Sequence, residues 1–156
     1  MKKMISILLC GMMLFMLAAC GSSQEGGGAA KAAEDLTDAE INAQKVITST
    51  VEAMQKALGE EGVTMRYERT RGEKTTYEVT DKAVIEEVVA LLGNLVSGKQ
   101  SASTDAENFD KIVIKAGNQS YSITVTDNYL YRKSILFELT AGADELHAKL
   151  DEIAAQ

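Results

Sequence analysis

The chain has 156 residues and a formal net charge of -7, and 46% of its residues are apolar and 25% charged, which is typical of one globular domain. It contains no proline and no tryptophan, so proline-rich linkers and ligands of SH3-type domains are excluded. The acidic balance argues against nucleic acid as the main partner.

The first twenty residues have the order of parts of an export signal. Lys2 and Lys3 form a short basic head, and residues 4–17 are an almost unbroken apolar run. At about 14 residues this run is too short to span a hydrocarbon core of about 30 Å, but it fits the apolar region of a signal peptide. The small residues Ala18 and Ala19 follow it.

The segment Leu17-Ala18-Ala19-Cys20 resembles the lipobox of bacterial lipoproteins. The resemblance implies diacylglycerol on the Cys20 sulfur, cleavage between Ala19 and Cys20, and loss of residues 1–19 as the signal peptide. The chain would then be lipid-anchored on the extracytoplasmic face of the cell membrane. Each CH₂ group buried in the bilayer contributes about 0.8 kcal/mol to membrane binding, so two acyl chains anchor a protein stably. An uncleaved membrane anchor and an ordinary secretory signal are the alternatives. The whole is similar to small surface lipoproteins of Gram-positive bacteria, many of which have no assigned activity.

This interpretation changes the inventory of reactive side chains. Cys10 and five of the seven methionines leave with the signal, so the mature chain has no disulfide, no thiol nucleophile and no methionine-rich copper site. Loss of Lys2 and Lys3 leaves 14 basic against 23 acidic residues, a net charge of -9. An acidic protein gains nothing from anionic lipid, so the lipid on Cys20 must supply the membrane attachment.

Residues 20–35 are predicted to be the lipidated cysteine and a flexible tether. The stretch is rich in Gly, Ser and Ala and has no large apolar residue after Cys20, so it cannot build a core. Its root-mean-square reach is about 20 Å. Residues 36–156 are predicted to form one domain.

The first half of that domain is predicted to be helix, hairpin, helix. Thr37 and Glu40 fit a capping box, and apolar residues at helical spacing indicate a helix over 37–58, which could be loosely docked. Two alternating runs around Gly72, within 63–79, indicate a β-hairpin. Asp81 offers an N-cap for a second helix with a broad apolar face that extends to Val96 and ends at Gly98.

The second half is predicted to hold three strands and a helix. After a polar loop over 101–108, strands are expected around 112–114, over 121–125 and over 129–139, the last with a bulge or kink at 132–134. A helix over 143–154 ends the chain. The predicted fold class is therefore α+β, with an antiparallel sheet of about five strands in the order α-β-β-α-β-β-β-α and helices packed on one face.

Few residues could support catalysis. His147 is the only histidine, which excludes a histidine-cluster zinc site, and it is predicted to lie on a helix surface. A role as general base would need a serine held within hydrogen-bond reach, and no nucleophile motif is present. Oxygen-bearing side chains that could bind Ca²⁺ occur at alternating positions from Asp105 to Asp110. The segment lacks the Gly and the distal Glu of an EF-hand loop, so it is better explained as a polar connector. No catalytic residue, metal site or cofactor is predicted.

Two groups of residues are candidates for an interaction surface. Cations cluster around the first hairpin, and aromatic residues meet cations on the last strand; the residues are Arg66, Arg69, Arg71 and Lys74, and Tyr129, Tyr131 and Arg132. Tyr and Arg are favoured at interfaces. The ordinary explanation is that strands expose polar residues and that cations protect sheet edges.

The preferred hypothesis is a lipid-anchored, non-enzymatic binding or interaction module at the cell surface. A small-ligand-binding lipoprotein with a single-domain cleft is the alternative, and a hydrolase using His147 is the second alternative. The partners are then the membrane, through Cys20, and an unknown protein or small molecule, with no role for nucleic acid.

Overall fold

Three helices and seven strands occupy residues 36–102 and 106–156, the part of the chain that the computed structural model describes. The helices are α1 (Asp38–Ala57), α2 (Lys82–Gly93) and α3 (Ala143–Ala154). The strands are β1 (Thr64–Arg71), β2 (Glu73–Val79), β3 (Val96–Gln100), β4 (Asn108–Ala116), β5 (Gln119–Thr126), β6 (Tyr129–Arg132) and β7 (Ile135–Ala141). The predicted signal peptide, the cleavage and lipidation site at Ala19 and Cys20, and the spacer lie outside the described residues.

The strands form one antiparallel sheet in the order β2-β1-β4-β5-β6-β7-β3. The predicted α+β class with an antiparallel sheet is confirmed. The number of about five strands is wrong, because the described residues form seven. One additional strand comes from a segment predicted to be helix and loop, and the other arises because one predicted strand is divided in two.

The first additional strand is β3. The predicted second helix extends to Val96, but α2 ends at Gly93, and Asn94 caps it. Leu95 is then buried, and the chain enters β3 with Val96 45% exposed. Gly98, predicted to end the helix, lies inside β3, where a Cβ atom would come within 2.8 Å of the Thr140 side chain.

The second additional strand arises because the predicted strand over 129–139 is two strands, β6 and β7. Lys133 and Ser134 connect them with positive φ angles of 50° and 62°. Two successive left-handed residues make the tight turn that suits a hairpin. The sequence has neither Asn nor Gly there, so the pattern indicates a bulge or kink at 132–134 where the structure has a turn.

The start of α1 follows the predicted capping box. The Thr37 hydroxyl accepts a hydrogen bond from the Glu40 backbone N–H, and the Glu40 carboxylate accepts one from the Thr37 N–H at 2.6 Å. Asp81 caps α2 as predicted, accepting from the Ala83 N–H at 2.9 Å. The third helix, α3, has the predicted bounds. Three of the local signals for helix position are therefore confirmed.

The main core lies between the helices and one face of the sheet. Alternation along β1 turns Met65 and Tyr67, both fully buried, toward the helices and turns Arg66 away, as predicted. One side of α1 packs into the same core and is not left at the surface. The buried members from α1 are Ala43, Ile47, Val51 and Met54. The opposite side of the sheet, called here the helix-free face, contributes no member of this core.

Candidate functional site

A buried carboxylate, Asp110, lies where β4 runs beside β1 on the helix-covered side of the sheet. The register places Arg69 directly opposite Asp110 and Tyr67 opposite Ile112. The Tyr67 hydroxyl donates to Oδ1 of Asp110 at 2.6 Å, and Nε of Arg69 lies 3.2 Å from the same oxygen. Asp110 is 2% exposed. A charge so deeply buried needs such donors, because an unpaired one is very costly.

Helix α3 and the end of β1 complete the surroundings of Asp110. Nδ1 of His147 lies 3.3 Å from Oδ2 of Asp110, as an ion pair and not as an aligned hydrogen bond. Nη2 of Arg71 lies 3.5 Å from the same oxygen, on the solvent side. Nη2 of Arg69 also reaches the Asp151 carboxylate at 2.5 Å. We call these residues the Asp110 cluster: Tyr67, Arg69, Arg71, Asp110, His147 and Asp151.

Hydrogen-bond acceptors face both nitrogens of the His147 ring. Nε2 lies 2.5 Å from the backbone carbonyl oxygen of Asp127, in the turn between β5 and β6, while Nδ1 faces Asp110. A carbonyl and a carboxylate can only accept, so this position favours a ring that carries a proton on both nitrogens. The Asp110 carboxylate raises the pKa of His147 against the effect of burial, and the Asp127 carbonyl raises it further.

The other two titratable groups at the centre of the cluster have fixed protonation states. Burial raises the pKa of the Asp110 carboxyl, but His147, Tyr67 and Arg69 outweigh it and lower that pKa to about 2. Burial and then Asp110 raise the pKa of the Tyr67 phenol, which therefore stays protonated and donates. The cluster is a charged carboxylate held by donors from β1 and α3.

The chemistry open to His147 follows from this geometry. Nε2 contacts the Asp127 carbonyl oxygen and Nδ1 faces the buried Asp110 carboxylate, so in this arrangement neither nitrogen is placed to take up a proton as a general base. His147 joins α3 to β4 and to the β5–β6 turn. The contacts of His147 are those of a structural clamp.

The four cations predicted to form one patch on the first hairpin lie on opposite sides of the sheet. Arg66 and Lys74 lie on the helix-free face and both pair with Glu68, at 2.9 Å and 2.7 Å. Arg69 and Arg71 lie on the other side, in the Asp110 cluster. The hairpin therefore has two separate cationic surfaces, each partly neutralised by a carboxylate.

The second predicted patch divides in the same way. Tyr131 lies on the helix-free face, where its ring meets the Phe109 ring edge-on at 4.8 Å between centroids. Tyr129 has the same parity on β6 and lies on the same face. Arg132 lies on the helix side and donates to the Asn42 carbonyl oxygen at 3.4 Å.

Arg132 marks one wall of a surface groove between α1 and the β6–β7 turn. The groove has a volume of about 460 Å³. Lys45, Arg132 and Lys133 line it together with the apolar side chains of Val46 and Ile135. We call it the α1 groove. A second groove of about 320 Å³ lies beside the start of β4, with Tyr129 and Leu136 in its wall.

Sequence reasoning missed Asp110 as the centre of a cluster, although a signal was present. Asp110 has the same parity as Ile112 and Ile114, so the alternation that turns those two inward turns Asp110 inward as well. A carboxylate at an inward position requires a partner. The interpretation as a polar connector was wrong for Asp110, which lies within β4; Asp105 lies outside the described residues.

Across residues 36–102 and 106–156, no group of three or more His, Cys, Asp and Glu side chains is arranged to hold a metal ion. Within the same ranges, no helix has both the length and the apolar character needed to cross a bilayer.

No protein-family model, no curated protein and no solved structure matches the chain.

Proposed function

We propose that this chain is a lipid-anchored extracytoplasmic lipoprotein whose domain, residues 36–156, is a non-enzymatic interaction module at the cell surface. The observation that carries the proposal is the lipobox-like segment ending in Cys20, preceded by a basic head and a short apolar run. The flexible tether that follows would allow the domain to bind a partner above the lipid headgroups.

The geometry around His147 supports a role other than catalysis. In the only histidine of the chain, Nε2 contacts the Asp127 carbonyl oxygen and Nδ1 faces the Asp110 carboxylate, so neither nitrogen is left open to serve as a general base. A hydrolase using His147 would need this clamp to open. A His147→Ala variant that keeps full biological activity while losing stability would support the structural role.

Anchoring is tested by labelling cells that express the full chain with a fatty-acid probe. The expected result is labelling of the chain, its loss in Cys20→Ser, and release of that variant from the membrane fraction. Cys10→Ser is the matched control and should label normally, because Cys10 lies inside the segment that is removed. An unlabelled chain, or a Cys20→Ser variant that still fractionates with membranes, would refute the proposal.

The surface that best fits a protein partner is the helix-free face. None of the three described helices covers it, and it combines cations with aromatic rings that are only half-buried. Its candidate residues are Arg66, Lys74, Tyr129 and Tyr131. Interfaces favour such Tyr and Arg residues.

This surface is tested by placing a photo-crosslinking residue at Ser122, which is exposed on the helix-free face, in the full chain in intact cells. The matched control carries it at Glu52, which is exposed on α1. We expect one defined adduct from Ser122 and none from Glu52. Equal adducts from both positions would contradict the assignment.

The α1 groove favours a second candidate function, the binding of a small anionic ligand. Lys45, Arg132 and Lys133 all line this groove in an otherwise acidic chain, together with apolar side chains. A ligand with an acidic group and a short apolar part fits this lining. Native mass spectrometry of gently purified chain should then show a bound ligand, which a Lys45→Gln/Arg132→Gln variant loses and a Lys111→Gln/Lys115→Gln variant keeps.

A further inference from the structure

The two edges of the sheet differ in how their backbone groups are bonded. At the β3 edge, the Ser97 N–H donates to Oε1 of Gln44 at 2.7 Å, and the Gln100 N–H donates to Oε1 of Glu40 at 2.6 Å. Both acceptors come from α1, four residues apart on one side of the helix. Register shifts interrupt the pairing of β3 with β7. This edge is therefore irregular and covered, which prevents another strand from adding to it.

The β2 edge is regular and open. All seven of its residues, Glu73–Val79, pair with β1 without a register shift, and five of them are exposed. Among the residues that the structure describes, no group outside β1 is hydrogen-bonded to the β2 backbone. A regularly paired edge strand with unpaired N–H and C=O groups along one side is a template for a further strand.

We propose that β2 pairs with β2 of a second copy of this chain, antiparallel, about a two-fold axis through Thr76. Thr76 is the midpoint of Glu73–Val79, so all seven residues of each strand find a partner. Lys74 then lies opposite Glu78 of the partner subunit, and the symmetry repeats this pair. The two sheets join into one continuous sheet across the axis.

Charge selects this register over its neighbours. Lys74 and Glu78 lie two residues on either side of Thr76, so only a register centred on Thr76 places opposite charges together twice. A shift of two residues in either direction places Lys74 or Glu78 opposite a threonine and leaves strand ends unpaired. Lys74 is 57% exposed at its side chain and pairs with Glu68, so its remaining N–H donors are available to the second copy.

The same register is compatible with the rest of the fold. Tyr77 stacks on Tyr67 on the helix side with 5.3 Å between ring centroids, so Lys74, Thr76 and Glu78 lie on the helix-free face. Opposed residues in an antiparallel pair share a face, and so the helices of both copies lie on one side of the joined sheet. The contact is small, which indicates a weak pair that is promoted where copies are concentrated.

Disulfide crosslinking in the full chain tests the pairing. Opposed Cα atoms in an antiparallel pair are about 4.5–5.5 Å apart, within the range of about 4.4–6.8 Å that a disulfide spans. With a mild thiol oxidant on intact cells, Thr76→Cys should therefore form a dimer. Lys74→Cys alone should not, because the axis separates the two equivalent positions by about 13 Å along the strand. Coexpressed Lys74→Cys and Glu78→Cys should crosslink to each other.

Charge variants of the Thr76→Cys chain test the register. Lys74→Glu makes the charges at positions 74 and 78 both negative, and Glu78→Lys makes them both positive, so each variant alone should lose dimer yield about fivefold. When the two are coexpressed, opposite charges meet again at both positions, and the mixed dimer should recover the original yield. A dimer yield from Thr76→Cys no higher than that from Lys74→Cys would overturn the pairing. Equal yields from separate and mixed charge variants would overturn the register, and an adduct with a different protein would overturn the second copy as occupant.

This result is independent of lipid anchoring. The chain without added cysteines is the background control, and an oxidant-induced dimer from that chain reports a free thiol at Cys20 or Cys10. Such a background dimer would count against acylation and leave the comparison of positions 74 and 76 intact.

Discussion

Replacing Asp110 with asparagine should cost about 3 kcal/mol of unfolding free energy at pH 7. The substitution preserves the shape of the side chain but removes the charge on which Tyr67, Arg69 and His147 converge. Removing one partner of a buried ion pair costs about 3–5 kcal/mol, because the other charges stay buried without compensation. Lowering of the Asp110 pKa from 3.8 to about 2 corresponds to about 2–3 kcal/mol of preference for the charged form, which agrees in size.

Urea unfolding followed by far-UV circular dichroism measures this loss, since the chain has no tryptophan to report by fluorescence. Glu61→Gln is the matched control, because this carboxylate is exposed in the turn after α1, and it should change stability by less than about 0.5 kcal/mol. Tyr67→Phe removes one donor, and the Tyr67→Phe/Asp110→Asn double variant should lose less than the sum of the two losses. A loss below about 1 kcal/mol for Asp110→Asn would refute the account of the Asp110 cluster.

Three further predictions concern stability. The pKa of His147 is raised in the folded state, so its stabilising effect is complete below about pH 6.5 and is lost as the pH rises through the folded-state pKa. The melting temperature should therefore fall over that pH range, and a His147→Gln variant should not show this fall. Thr37→Ala removes the acceptor for the Glu40 N–H and should cost about 1 kcal/mol in urea unfolding, whereas Thr37→Ser should be close to neutral. Gly142→Ala should lower the melting temperature by several degrees, because φ is 82° there and a Cβ atom would lie 2.6 Å from the Asn94 carbonyl oxygen; an unchanged melting temperature would contradict the described connection between β7 and α3.

Local signals in the sequence predict much of the fold. The Thr37 and Glu40 box, the Asp81 cap and the alternation around Gly72 each depend on neighbours within a few residues, and each is confirmed. The Lys133-Ser134 turn is missed because neither residue favours a positive φ.

Interactions between residues distant in sequence explain the remaining differences. Strand β3 is short, and two of its N–H groups donate to the side chains of Glu40 and Gln44, more than fifty residues away in the sequence. The pattern of apolar and polar residues within β3 therefore does not indicate a strand. The Asp110 cluster likewise combines β1, β4 and α3, and only the inward parity of Asp110 indicates it in the sequence.

The bond between Glu40 and the Gln100 N–H has a mechanical consequence. Glu40 lies in the first turn of α1, where the chain enters the domain, and the same carboxylate also accepts from the Thr37 N–H. A pull on the residues before Leu36 therefore loads the end of β3 together with the helix. To unwind the first turn of α1, such a force must also break the hydrogen bond between the Gln100 N–H and Glu40. The force is therefore shared between α1 and β3 and does not act on the helix alone.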